Sequence, residues 1–227
     1  KTAELSYPKQ LQINKNQNFR ESIFDQIDRE DLLVCTPYES FDPILRFFNE
    51  AAIDPTVDEI YTTLYRIAGD SHIAQALATA AKNGKRVNVF VELKARFDEA
   101  NNIHWARLMK EQGVKITYSI PNLKVHAKIA LVKRKEGRES ALLGTGNLNE
   151  KTAKVYTDYF LMTSNKLLTN ELDMLFEFLP ARRKPHHPNE LSFNHLLIAQ
   201  FNLKHTFLSL IDKTIQAAKD GDSATIK

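Results

Sequence analysis

Hydrophobic positions in the middle of the chain switch between a period of two, typical of strands, and a spacing of three to four, typical of helices. The alternation predicts a strand–helix–strand–helix–strand series with short turns between its members. Its elements are strands over 58–68, 86–93 and 114–120, with helices over 73–82 and 98–112 between them. Strands joined through helices form right-handed crossovers, so this part of the chain is predicted to build a parallel sheet.

Strand patterns continue beyond this series without helices of comparable length between them. They cover 123–132, 140–143 and 156–163. Their close succession predicts antiparallel pairing, since parallel strands need a longer crossover. Near the start a short amphipathic helix is predicted, with apolar positions Ile23, Phe24, Ile27 and Leu32, and a second helix follows Pro43. The predicted fold class is therefore α/β, with a mixed sheet flanked by helices.

The distribution of polar and breaker residues predicts three parts in the chain. Residues 1–20 are polar and are interpreted as a linker or the end of a preceding domain. Residues 21–185 are predicted to form one α/β domain. Residues 186–227 follow a segment rich in proline and basic residues, and hold a predicted strand over 191–201 and a helix over 206–219. We expect this last part to be the truncated opening unit of a second α/β domain.

Composition and charge exclude some classes of protein but do not identify a function. The chain has 227 residues, of which 31 are Lys or Arg and 28 are Asp or Glu, for a net charge of +3. An anion site must therefore come from local clustering of basic groups. The single cysteine, Cys35, excludes an internal disulfide framework and favours a reducing, cytoplasmic compartment. Because no apolar run approaches the ~18 residues that span a bilayer, no transmembrane segment is expected.

The strand pattern over 123–132 carries the first candidate for chemistry. Period-two alternation places Lys124, His126 and Lys128 on one face, opposite the apolar residues Leu123, Val125, Ala127, Ile129 and Leu131. Two ammonium groups beside an imidazole favour its neutral, nucleophilic form and attract phosphate. The alternative is a solvated polar face on which the histidine lies between lysines by chance.

A glycine-rich turn and two arginines add to this candidate. Gly144-Thr145-Gly146-Asn147 follows an apolar strand and can bring backbone N–H groups close to an anion, although a plain β-turn fits it as well. Arg66 and Arg96 come at the ends of the first two strands of the series. Both are therefore expected at the carboxyl edge of the sheet, where open α/β folds bind ligands and a guanidinium group can bind phosphate. Arginines after strands are also common as plain surface residues.

The motif His126-x-Lys128, followed by Gly144-Thr-Gly-Asn147, resembles the H-x-K…G-x-x-N half-motif of the phospholipase D superfamily. Lys133 departs from the common phosphodiesterase form, which has an acidic residue at that position. The wider sequence resembles one branch, the polyphosphate kinases with phospholipase-D-like domains. The segments that carry this resemblance are 37–42, 64–68, 91–98, 123–128, 144–152 and 155–158. The resemblance extends through most of 37–179.

This resemblance implies an ATP–polyphosphate phosphotransferase, which reversibly moves the terminal phosphoryl group of ATP to inorganic polyphosphate. It assigns the phosphohistidine to His126. Lys128 would balance charge around phosphorus, and Asn147 would orient Lys128 or donate to a phosphate oxygen. The expected fold is a phospholipase-D-like sheet.

The same resemblance implies the groups that hold the nucleotide and Mg²⁺. Tyr156 would contact the nucleotide, ATP or ADP, with the turn of Gly144 and Gly146 beside it. Arg66 and Arg96 would hold Mg²⁺ through phosphate oxygens, because a guanidinium group cannot ligate a cation.

At the level of the whole protein, the resemblance implies a homo-oligomer that binds no nucleic acid and is located in the cytoplasm, with peripheral membrane association as an alternative. It also implies a second phospholipase-D-like domain with a further histidine and arginine. This histidine and this arginine cannot be assigned to residues of the present sequence, since no motif surrounds His195 or His205. We therefore expect little kinase turnover from residues 1–227 alone.

Two other functions stay open at this point. The first is a phospholipase-D-type phosphodiesterase or nuclease, which would need a second H-x-K half-motif from a homodimer. A phosphodiesterase should not be phosphorylated by ATP, so an acid-labile phosphoenzyme distinguishes the two enzymes. The second is a polyanion-binding module without catalysis, in which His126→Ala should leave binding nearly unchanged.

Overall fold

The computed structural model describes residues 20–92, 99–120 and 124–226. Within these ranges the helices are α1 (Ile23–Arg29), α2 (Asp42–Ile53), α3 (His72–Lys82), α4 (Glu99–Glu111), α5 (Lys166–Phe178) and α6 (Leu203–Lys219). The strands are β1 (Leu32–Thr36), β2 (Val57–Leu64), β3 (Arg86–Val91), β4 (Lys115–Tyr118), β5 (Lys128–Arg134), β6 (Arg138–Gly144) and β7 (Asp158–Thr163).

The seven strands form one mixed sheet in the order β1-β7-β6-β5-β2-β3-β4. Strands β2, β3 and β4 are parallel to one another, and β5, β6, β7 and β1 add to them by antiparallel pairing. The prediction of a mixed α/β sheet is confirmed. Strand β1 was not predicted, because Leu32 was assigned to a helix that in fact ends at Arg29.

Helices α1 to α4 supply the apolar side chains that cover one face of this sheet. Ile44 and Phe47 of α2, Ile73 of α3 and Ile60 of β2 are all fully buried in a single core cluster. Local sequence explains why α3 starts where it does, since the Ser71 hydroxyl accepts a hydrogen bond from the Ala74 N–H at 3.2 Å. This cap therefore fixes the start of α3, in the crossover between β2 and β3.

In α4, Ile103 is 58% exposed, and the buried residues are Asn102, Trp105, Ala106 and Met109. A further detail of the sequence prediction is wrong. The predicted strand over 191–201 consists of turns and bends. There the N–H groups of residues 194–196 donate to the carboxylate of Glu171, so they are not available to a neighbouring strand.

By compactness the chain divides into two units, with the boundary between Thr169 and Asn170. In the second unit Phe201 packs edge-on against Phe178 and Phe193, with ring centroids 5.3 and 5.1 Å apart. Helix α6 contributes no buried residue. The candidate site lies entirely in the first unit.

Candidate active site

Several strands begin or end at one edge of the sheet, and the candidate residues lie next to these strand ends in the sequence. Strand β2 ends there at Leu64 and is followed by Tyr65 and Arg66. The antiparallel strand β5 begins at this edge with Lys128, which pairs with Gly144 at the end of β6. Gly144 in turn pairs with Phe160 of β7. The topology thus gathers segments that are far apart in sequence.

His126 lies just before β5 and contacts the first residue of that strand. The Lys128 Nζ is 3.0 Å from His126 Nδ1 and donates to the His126 carbonyl oxygen at 2.6 Å. Lys128 is only 5% exposed, whereas His126 and Lys124 are exposed. The prediction that these three residues share one face of a strand is therefore wrong, because residues 124–127 are not in the sheet and Ala127 is exposed.

The pairing of β5 with β2 ends at Ala130, opposite Thr62, and beyond that point the Thr63 side chain takes the place of the β2 backbone. The Thr63 hydroxyl donates to the Ala127 carbonyl oxygen at 2.6 Å and accepts from the Ile129 N–H at 3.2 Å. This pair of hydrogen bonds holds the segment on both sides of Lys128 and lets His126 leave the sheet. Sequence reasoning missed Thr63, although two successive threonines, Thr62 and Thr63, in the buried last half of β2 are a signal.

Tyr65 is a second residue that the sequence did not single out. Its ring meets the His126 ring edge-on, with centroids 4.9 Å apart, and the Lys128 Nζ lies 5.3 Å from the Tyr65 ring centroid. The aromatic face thus stabilises the ammonium group that contacts the imidazole. One ring therefore packs against both members of the histidine–lysine pair.

The electrostatic environment keeps the imidazole neutral. Desolvation lowers the pKa of His126, and the positive charges of Lys128, Lys124 and Arg66 lower it further. Desolvation also lowers the pKa of Lys128 to about 8, with opposing contributions from Asp158, which raises it, and Arg66, which lowers it. Arg66 therefore acts on both groups, as expected for a guanidinium at this edge.

The two glycines of the turn are required by close packing. A Cβ on Gly144 would lie 2.7 Å from a ring carbon of Phe160, and one on Gly146 would overlap the Asp158 side chain. Neither glycine has a positive φ. Asp158 is held beside the turn, since its carboxylate accepts from the Thr145 hydroxyl at 2.8 Å. These contacts explain both glycines without an anion.

Asn147 ends this turn, and Tyr156 lies in the segment between the turn and β7. The buried Asn147 Oδ1 has no hydrogen-bond partner among the described residues, Lys128 included. Tyr156 precedes β7 rather than lying in it, and it is 62% exposed. Its ring is therefore free of the core packing that a strand position would impose. Arg96, the second predicted arginine, lies outside the described residues.

The described ranges contain no group of three or more His, Cys, Asp or Glu side chains that could hold a metal ion. In the same ranges no helix is both long and apolar enough to cross a membrane.

Comparison with known proteins decides between the two enzyme families that the motif allows. The family model for polyphosphate kinase C-terminal domain 1 matches residues 22–185. This chain belongs to the polyphosphate kinase family. The polyphosphate kinase of Klebsiella pneumoniae is 44% identical over 206 residues, which is 89% of this chain and 29% of that protein. The chain thus spans less than a third of the length of this relative.

Solved structures agree with the assignment to the polyphosphate kinase family. The crystal structure of the polyphosphate kinase from Porphyromonas gingivalis matches 97% of this chain and 36% of that chain, with a TM-score of 0.81 and 40% identity. Nuc from Salmonella typhimurium, a phospholipase D family member, matches 65% of this chain and 91% of that chain, with a TM-score of 0.52 and 16% identity. The likeness to Nuc shows the phospholipase-D-like fold and nothing about activity.

Proposed function

We propose that the protein transfers the terminal phosphoryl group of ATP reversibly to inorganic polyphosphate, with His126 as the phosphorylated residue. The observation that supports this most directly is the contact between His126 Nδ1 and the buried Lys128 ammonium at 3.0 Å, in a chain of the polyphosphate kinase family. Desolvation and the cationic neighbours lower the pKa of His126 and so favour the unprotonated imidazole, and the same cations attract the phosphates.

The first step forms a phosphorus–nitrogen bond and breaks a phosphorus–oxygen bond. The unprotonated nitrogen of His126 attacks the γ-phosphorus in line, the bond to the bridging oxygen breaks, and ADP leaves with that electron pair. A terminal oxygen of polyphosphate then attacks the phosphohistidine, which releases the imidazole. Phosphoryl transfer depends mainly on positioning and charge neutralisation, so no strong acid or base is needed.

Lys128 connects the resting geometry to this chemistry. Without a bound phosphate, the Lys128 ammonium donates a hydrogen bond to the lone pair of His126 Nδ1, so this lone pair is not available to attack phosphorus. A phosphate oxygen is a stronger, charged acceptor than an imidazole nitrogen, so a bound phosphate draws the ammonium away. The same movement frees the ring lone pair and places a positive charge on the transferring group. Substrate binding thus activates the histidine.

The remaining assigned residues complete the proposed site. Arg66 binds phosphate oxygens, and Arg96 is assigned the same role from the sequence. Mg²⁺ enters with the nucleotide, held by its phosphate oxygens. Asn147 donates its amide to a phosphate oxygen, and the exposed Tyr156 borders the nucleotide. We assign the protein to the cytoplasm, where the ATP for this reaction is available. The homo-oligomer and the domain limits at 20 and 185 stay predictions.

Phosphopeptide mapping tests the proposal. The whole protein is incubated briefly with labelled ATP and magnesium, and we expect a label that is lost in acid, is retained in base and maps to the peptide with His126. The variant His126→Ala should remain unlabelled, while His104→Ala, which alters an exposed histidine of α4, should be labelled normally. A label on any other residue, or none at all, would refute the phosphohistidine at His126.

A further inference from the structure

Two buried asparagines hold the backbone on either side of Arg66. The Asn102 Oδ1 accepts from the Ile67 N–H at 3.0 Å, and its Nδ2 donates to the Tyr65 carbonyl oxygen at 2.9 Å. The Asn149 Nδ2 donates to the carbonyl oxygen of Arg66 itself at 3.3 Å. Consecutive peptide groups around Arg66 are thus fixed by side chains rather than by a strand ladder.

Asn102 also connects this loop to the next strand. Its Nδ2 donates a further hydrogen bond, at 2.7 Å, to the carbonyl oxygen of Glu92, the residue that follows β3. A carboxamide offers an acceptor and two donor hydrogens in one plane, and all three are used here. Asn102 is fully buried, so water cannot replace these bonds. One side chain thus sets the spacing between the ends of β2 and β3.

We propose that Asn102 is a positioning residue for Arg66. This inference rests on the proposed function, in which the guanidinium of Arg66 binds phosphate oxygens. A long side chain on a loop places its charge accurately only if the backbone beneath it is held. Displacements of about 1 Å in a phosphoryl-transfer site can reduce the rate by about 100-fold. Through Arg66, Asn102 also influences the charge felt by His126 and Lys128.

The competing explanation is that Asn102 only satisfies buried carbonyl groups. Trp105, on the same helix, provides the matched control. Its Nε1 donates to the Ala68 carbonyl oxygen at 2.8 Å, so it binds the same loop two residues beyond Arg66. Trp105→Phe removes this hydrogen bond and leaves the peptide groups that flank Arg66 in place. A purely structural role predicts that the two positions behave alike.

A double-mutant cycle on polyphosphate binding distinguishes the two explanations. Inorganic polyphosphate of defined length is titrated into wild type, Asn102→Asp, Arg66→Ala and the double variant by calorimetry. Asp lacks both donors, so its carboxylate would face two carbonyl oxygens. We expect Arg66→Ala to weaken binding about tenfold, since a charged hydrogen bond is lost. Asn102→Asp should weaken it by nearly as much, and the double variant should be within about twofold of Arg66→Ala.

Each result supports or overturns the inference. Trp105→Phe should bind like wild type although it unfolds at a lower temperature. Additive losses in the double variant, or wild-type binding by Asn102→Asp, would show that Asn102 does not act through Arg66. If Asn102→Asp does not fold, Asn102→Ser takes its place in the same cycle. Absence of binding by wild type would instead reject the proposed function, and the inference with it.

Discussion

Gly146→Ala tests whether the turn after β6 is glycine-rich because of packing or because it binds an anion. The new methyl group would overlap the Asp158 side chain and lie 2.7 Å from its Cβ. Carbon atoms prefer about 3.5–4.0 Å, so one partner must move by about 1 Å. Neither is free to do so, because Asp158 pairs with Thr36 of β1 and the Thr145 N–H donates to the Tyr159 carbonyl oxygen.

We therefore expect Gly146→Ala to lower the free energy of unfolding by about 1–3 kcal/mol, the usual cost of overpacking. Urea denaturation, followed by circular dichroism, measures this difference. The matched control is Gly69→Ala at the same edge of the sheet, where the nearest atom to a new Cβ is 3.7 Å away. Its stability should stay within about 0.5 kcal/mol of wild type.

A second-site change sharpens the test. Asp158→Ala removes the two closest atoms, the Asp158 Oδ2 and Cγ, and should recover part of the loss caused by Gly146→Ala. Asp158→Gly also removes the Cβ, which lies 2.7 Å from the new methyl group, and should recover more of it. If Gly146→Ala is as stable as wild type but no longer binds polyphosphate, the packing argument is wrong and the backbone of the turn is an anion site.

Three further predictions concern buried charges. Because the folded-state pKa of Lys128 is about 8, below its usual 10.5, charging it disfavours the fold. The free energy of unfolding should thus rise between pH 8 and pH 10.5, and Lys128→Met should abolish that rise in urea titrations. Arg134 is nearly fully buried and forms a bidentate ion pair with Asp28. Asp28→Ala leaves the Arg134 charge buried without its carboxylate partner, so it should lower the free energy of unfolding by about 3 kcal/mol. This loss should be larger than the loss caused by Arg134→Met, and equal losses in thermal melts would contradict the prediction. Glu171→Ala should increase amide exchange at residues 194–196, whose N–H groups bind its carboxylate, and unchanged protection there would show that other contacts hold this segment.

The candidate residues were found from local patterns, but their arrangement was not. The spacing of His126, Lys128 and the glycine turn indicated phosphate chemistry, and the residues do meet at one edge. Alternation placed His126 inside a strand, however, because periodicity cannot show where a ladder ends. The segment that carries His126 is held instead by Thr63, whose hydroxyl bonds to the backbone on both sides of Lys128.

Asn102 illustrates the same limit. It occupies a buried position of α4, three residues before Trp105 and four before Ala106. A polar residue in such an apolar stripe signals a buried hydrogen-bond network, but its partners belong to loops that are 10 to 37 residues away in sequence. Only the packing of α4 against the strand ends reveals them.

By itself, the sequence determined the order of β2, α3, β3, α4 and β4, because helix caps and hydrophobic periods are local properties. It also indicated the family, since the spacing of the motif residues from His126 to Asn147 can be read directly from the sequence. Only the tertiary structure decided that β1 joins the sheet, that Lys128 is buried beside an exposed His126, and that the glycines of the turn make room for Phe160 and Asp158. Those outcomes depend on which atoms meet across the sheet, and contacts between distant segments set them.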